Sequence, residues 1–119
     1  MKKIIYDNMP AAIEAVGNGS YLYRWDINEK TMSGYEDLAL WECYEVTVWG
    51  APTQDSVTLK VINAMWGDGV EQKLLNDYQA AQLGLLDQSY ADAYVTFLTE
   101  RKALKARITE DLTAWESAT

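Results

Sequence analysis

Ser20-Tyr21-Leu22-Tyr23-Arg24-Trp25-Asp26-Ile27 (SYLYRWDI) alternates aromatic residues with aliphatic or charged ones. In an extended chain alternate side chains share a face. Tyr21, Tyr23 and Trp25 therefore stand in one row, with Ile27 at its end, while Leu22, Arg24 and Asp26 face the other way. The second row is a solvent-like set. The first is either the floor of a hydrophobic core or a platform for a sugar, a base or another protein. One face of a small sheet has to be buried for the fold to hold, and the aromatic face is the only good candidate. The row is expected to lie beneath whatever packs on the sheet.

Downstream, residues 29–39 (EKTMSGYEDLA) are polar, contain Gly34 and read as a long hairpin loop. Residues 40–49 (LWECYEVTVW) form the next strand, with Tyr44, Val46 and Val48 on one face and Trp41, Cys43, Glu45, Thr47 and Trp49 on the other. Gly50-Ala51-Pro52 stops it. Upstream, residues 2–6 (KKIIY) are a short β-prone run. Residues 9–16 allow two readings. Asn8 could cap a short helix with Pro10 in its first turn and Gly17 at its end. Alternatively residues 11–16 form a strand that turns back through Gly17-Asn18-Gly19, and Asn-Gly is a strong hairpin signal that favours this second reading.

The remainder has helical periodicity. Thr53 is a plausible N-cap for a helix over 54–66 with Val57, Val61, Ile62 and Met65 as its apolar stripe. Gly67-Asp68-Gly69 breaks it. Asp68 with Glu71 resembles a capping box for a second helix, which would bury Val70, Leu74, Leu75, Tyr78 and Ala81 and end at Gly84. Leu85-Leu86 would pin the connection. Ser89 with Asp92 would cap a third helix, whose stripe runs Tyr90, Tyr94, Phe97, Leu104, Ile108, Leu112 and Trp115. About 26 helical residues span about 39 Å. So long a helix either breaks or projects at its end and needs a partner. The expected fold is α+β: a single domain over residues 1–119, with a small antiparallel β-meander of two or three strands in 1–50 and three helices in 53–117, the last one long.

Composition removes several classes of chemistry. Histidine is absent, which takes away the commonest general base and metal ligand. One cysteine, Cys43, cannot form an intrachain disulfide, and its neighbours Glu42 and Glu45 oppose thiolate formation. Only an all-carboxylate site remains, from Glu36-Asp37, Glu42/Glu45 or Glu110-Asp111, and adjacent acids do not share a face. No glycine pattern matches a phosphate loop. Residues 1–16 lack the apolar core of a signal peptide, and no run approaches a membrane span. A net charge of −8 disfavours nucleic-acid backbones and anionic membrane surfaces. The chain is expected to be non-enzymatic, without metal or cofactor.

Two features point to a partner. Arg101, Lys102, Lys105 and Arg107 concentrate positive charge within seven positions of an acidic chain; Arg107 can pair with Asp111, and the cluster suits an acidic partner or head-to-tail self-association into a homo-oligomer. Trp41 and Trp49 fall on the outer sheet face, where exposed tryptophan marks a contact surface. Trp41, Trp49 or Tyr35 could alternatively stack on glycans.

The order SYLYRWDI, VWGAPTQDSVTLKVINAMWG, EQKLLNDYQAAQLG and FLTERKALKARI resembles that of small uncharacterised proteins encoded among the tail genes of phages and prophages of gut bacteria. The resemblance spans most of the chain from about residue 20, and it carries no catalytic signature and no site residues. It implies a tail-region accessory or assembly role, with a tail-fibre or other tail protein as partner. The implied location is the bacterial cytoplasm, or the virion once assembled.

Overall fold

The structure, a computed structural model, describes residues 1–34 and 36–118. The chain is α+β: strands β1 (Ile4–Tyr6), β2 (Ile13–Ala15), β3 (Ser20–Lys30) and β4 (Leu40–Trp49) precede helices α1 (Gln54–Trp66), α2 (Val70–Gln82) and α3 (Gln88–Ala118). All strand pairs are antiparallel and the order is β1-β4-β3-β2. The sheet thus has four strands rather than two or three, because both short upstream runs pair, one at each edge. In the β2–β3 hairpin the left-handed backbone falls on Gly17 and Gly19, while Asn18 Oδ1 accepts from Ser20 N at 3.1 Å.

The aromatic row does form the floor of the core. Tyr23 and Trp25 are buried and stacked at 5.8 Å, and they join Ile13, Val48, Val57, Val61, Ile108 and Leu112 in one cluster. Tyr21 meets Trp115 edge-on at 5.8 Å. Helix α1 and the C-terminal half of α3 lie on this face. Thr53 caps α1 as expected, through a reciprocal bond pair with Ser56.

The opposite face departs from expectation at Arg24, which is only 2% exposed. Since β1 and β2 sit on opposite edges, residues 7–12 must cross the sheet, and Arg24 Nη1 donates to Ala11 O at 3.1 Å, which places that crossing over the outer face. Beneath it Arg24 Nε donates to Glu45 Oε1 and Nη1 to Glu14 Oε1, each at 2.8 Å. Tyr6 donates to the same Glu45 oxygen, and its ring lies 4.7 Å from the guanidinium carbon. Cys43 is fully buried on the same face, and burial pushes its thiol pKa up.

The helical caps differ from their sequence signals. No Asp68–Glu71 capping box forms: the N-cap of α2 is Gly69 in a left-handed backbone with no side-chain bond. Helix α3 begins at Gln88, where Asp87, rather than Ser89, accepts from the Ser89 N–H at 3.1 Å. The end of α2 is a Schellman turn, with Leu85 N bonded to Ala80 O at 2.9 Å, Gly84 N to Ala81 O at 3.1 Å, and Gly84 at φ 76°. Backbone alone makes that turn. Leu85 and Leu86 do not pin it: Leu83, Leu85, Leu86 and Tyr90 are exposed.

Helix α3 does not break. Its 31 residues run about 46 Å. The half that stands off the sheet is the N-terminal one, paired with α2 through Tyr78–Tyr94 at 5.1 Å, while Ile108 and Leu112 seat the C-terminal half on the core. Helix α2 buries no residue fully, and it rests on α3 rather than on the sheet. The molecule measures 52 × 39 × 22 Å, with a radius of gyration of 17.6 Å, against about 13.5 Å for a compact chain of this length. It is a two-layer body with a helical arm.

Candidate functional site

Two features stand out on this scaffold: a cleft where the sheet, α1 and α3 meet, and a stripe along the outward side of α3.

The cleft begins with a break in the β3–β4 ladder. Trp25 pairs with Tyr44 and Asn28 with Glu42, so Asp26 and Ile27 together face a single residue of β4. Such a bulge bends its strand and re-aims side chains. Asp26 takes φ 54°, the left-handed region, where aspartate is more tolerant than most residues. Its carboxylate accepts from Asn28 Nδ2 at 2.9 Å and pairs with Lys3 Nζ at 2.9 Å. The Lys3 ammonium, with help from Asn28, holds the Asp26 carboxyl below its ordinary range although partial burial opposes this. Facing the bulge are Met65 and Trp66 from the end of α1 and Glu100, Ala103, Leu104 and Arg107 from α3, enclosing about 640 Å³. The floor is Trp25, Ile27 and Tyr44. Trp66 is braced edge-on against Phe97 at 5.0 Å. Arg107 pairs with Asp111 at 3.3 Å, and Asp111 accepts from Tyr23 Oη at 2.6 Å. Burial, reinforced by that bond, raises the Tyr23 phenol far above its usual range.

The six residues singled out from sequence divide among several surfaces. Trp41 is half-buried beside Tyr6, and Trp49 is 66% exposed at the far end of the same strand. They lie eight positions apart along the strand, about 27 Å, so they do not make one platform. Tyr35 lies outside the described residues. The basic cluster splits because successive helical residues point in different directions. Arg101 turns toward α2 and pairs with Glu71 at 3.6 Å. Arg107 enters the cleft. Lys102 and Lys105 are exposed, and among the described residues neither ammonium has a carboxylate within ion-pair distance.

Those two lysines continue an apolar row. Val95, Leu98, Lys102 and Lys105 are spaced three, four and three residues apart, one helix face, and all four are exposed. The α2–α3 turn, which precedes this stripe in sequence, also carries exposed leucines, Leu83, Leu85 and Leu86. Among the described residues no group of three or more acidic or cysteine side chains is placed to hold a metal ion, and no helix is long and apolar enough to cross a membrane. Sequence reading missed the cleft, whose signal is the close pairing of Asp26 and Asn28, two residues that bond locally to backbone, inside an otherwise regular alternation.

Comparison with protein-family models, curated proteins and solved structures gives no match for this chain.

Proposed function

We propose that this chain is a non-enzymatic accessory or assembly protein of a phage or prophage tail region, acting through protein–protein contacts. The tail context comes from the sequence resemblance. The mode of action is supported by one observation above the others: Val95, Leu98, Lys102 and Lys105 are exposed along one side of α3, the first three on the arm that stands off the sheet and Lys105 beside α1, where its carbonyl accepts from Gln54. An apolar patch continued by two cations that have no ion-pair partner among the described residues fits a partner helix or edge with apolar residues next to carboxylates. The apolar residues would supply most of the affinity, and the lysines orientation and encounter rate. The partner is therefore taken to be an acidic tail-fibre or other tail protein.

Affinity capture of tail proteins at micromolar concentration tests this. Wild-type chain is expected to retain one of them, with affinity falling as salt rises, and K102E/K105E to lose it at least tenfold while melting at an unchanged temperature. Capture of none, or capture indifferent to the double charge reversal, would refute the proposal. Light scattering separates this from self-association, in which the chain alone would be a dimer or larger.

A further inference from the structure

The cleft at the β3 bulge is independent of the α3 stripe and opens on another side of α3. We propose that it binds a neutral pyranose-type saccharide. Its volume of about 640 Å³ lies within the range of small-molecule sites, roughly 300–1,000 Å³. Its interior is apolar and partly aromatic. Tyr44 and Trp66 are half-exposed there, with Met65 and Leu104 beside them in the lining; the Lys3 ammonium lies 5.2 Å over the Tyr44 ring, so Trp66 is the ring left to stack. Rings of this kind present flat apolar faces that suit the C–H face of a sugar.

The rim carries the complementary half. Asp26, Asn28, Glu100 and Arg107 are all exposed, and all line the cleft. Each ends in a planar group with at least two donor or acceptor atoms, which can engage neighbouring hydroxyls in pairs. Charge narrows the ligand class. Arg107 is already paired with Asp111 and Asp26 with Lys3, which leaves Glu100 as a net negative contribution. A phosphate or carboxylate ligand would meet that carboxylate with no free cation to hold it. A lipid chain would leave the polar rim desolvated and unpaired. A polyhydroxylated neutral ring satisfies both halves. The bulge is what brings Asp26 and Asn28 to the rim, and the left-handed backbone at Asp26 is a local cost that a purely structural hairpin does not require.

The test is calorimetric titration of the full chain with neutral hexoses, N-acetylhexosamines and their oligosaccharides, alongside sugar phosphates and a short alkyl glycoside. Binding of at least one neutral saccharide is expected. Oligosaccharides binding more tightly than monosaccharides would identify a glycan chain as the source, and the reverse a free sugar. Asn28→Ala and Glu100→Ala, both at exposed positions, should each weaken binding at least fivefold without changing the melting temperature. Absence of saturable binding up to 10-fold above ordinary millimolar lectin-like concentrations, preference for the phosphorylated sugars, or affinity unchanged in both variants would overturn the proposal.

Discussion

Arg24 is buried on a strand face whose sequence neighbours, Leu22 and Asp26, suggest solvent. Alternation shows which way a side chain points, and it is blind to a segment such as residues 7–12 crossing over it. The guanidinium keeps its charge there because Glu45, Glu14 and Tyr6 satisfy it. Their hydrogen bonds offset its desolvation and raise its pKa. Arg24→Met is expected to lose about 3 kcal/mol, because it leaves Glu45 partly buried without its cation; urea unfolding measures this. Tyr23→Phe, which removes one hydrogen bond to Asp111 and leaves it only its Arg107 pair, should cost about 1 kcal/mol by the same method. Asp26 gives a pH signature. Its pKa is depressed in the fold, so its stabilising contribution is present above the ordinary carboxylate range and is lost as pH falls through the lowered value. Carbon-detected NMR titration should place its midpoint below that of an unfolded aspartate, and Lys3→Ala should raise it; an ordinary midpoint in the wild type would contradict the geometry.

At the scale of elements, what was legible depended on whether the signal was local. Strand β4 and helix α1 match their expected bounds, since Pro52 and Thr53 punctuate them and the core alternation is unbroken. Asp68 failed as a cap because the backbone at Gly69 turns left-handed and carries the chain into α2 without a side-chain bond. The leucines after Gly84 failed as a clasp because the Schellman turn closes through backbone bonds alone. Leu85→Lys should therefore change stability by no more than about 0.5 kcal/mol, whereas Gly84→Ala, forced to φ 76°, should lose about 1 kcal/mol. A large loss on Leu85→Lys would mean that the turn packs against something after all. The candidate cleft was the least legible feature. Of its lining residues only Arg107 was singled out from sequence as a site residue; the others, several of them legible only as sheet-face or helix-stripe positions, converge from β3, β4, α1 and α3, a meeting that no periodicity encodes.

The whole molecule is organised around one helix with two partners: the C-terminal half of α3 belongs to the core, and the N-terminal half to the arm. Amides at residues 104–115 should therefore exchange more slowly than those at 88–99, where α2 and, at Phe97, the end of α1 lie alongside but the sheet does not. The aromatic and helical patterning revealed that α3 was too long for its sheet, and the packing revealed which half stands clear. Both the stripe of Val95, Leu98, Lys102 and Lys105 and its proposed partner depend on that arm being extended. Small-angle X-ray scattering on the monomer peak from size exclusion tests this most directly. The account predicts an elongated particle whose radius of gyration is no smaller than the 17.6 Å of the Cα trace; a value near the 13.5 Å or so of a compact chain of this length would mean that the arm folds back onto the sheet, and would contradict it.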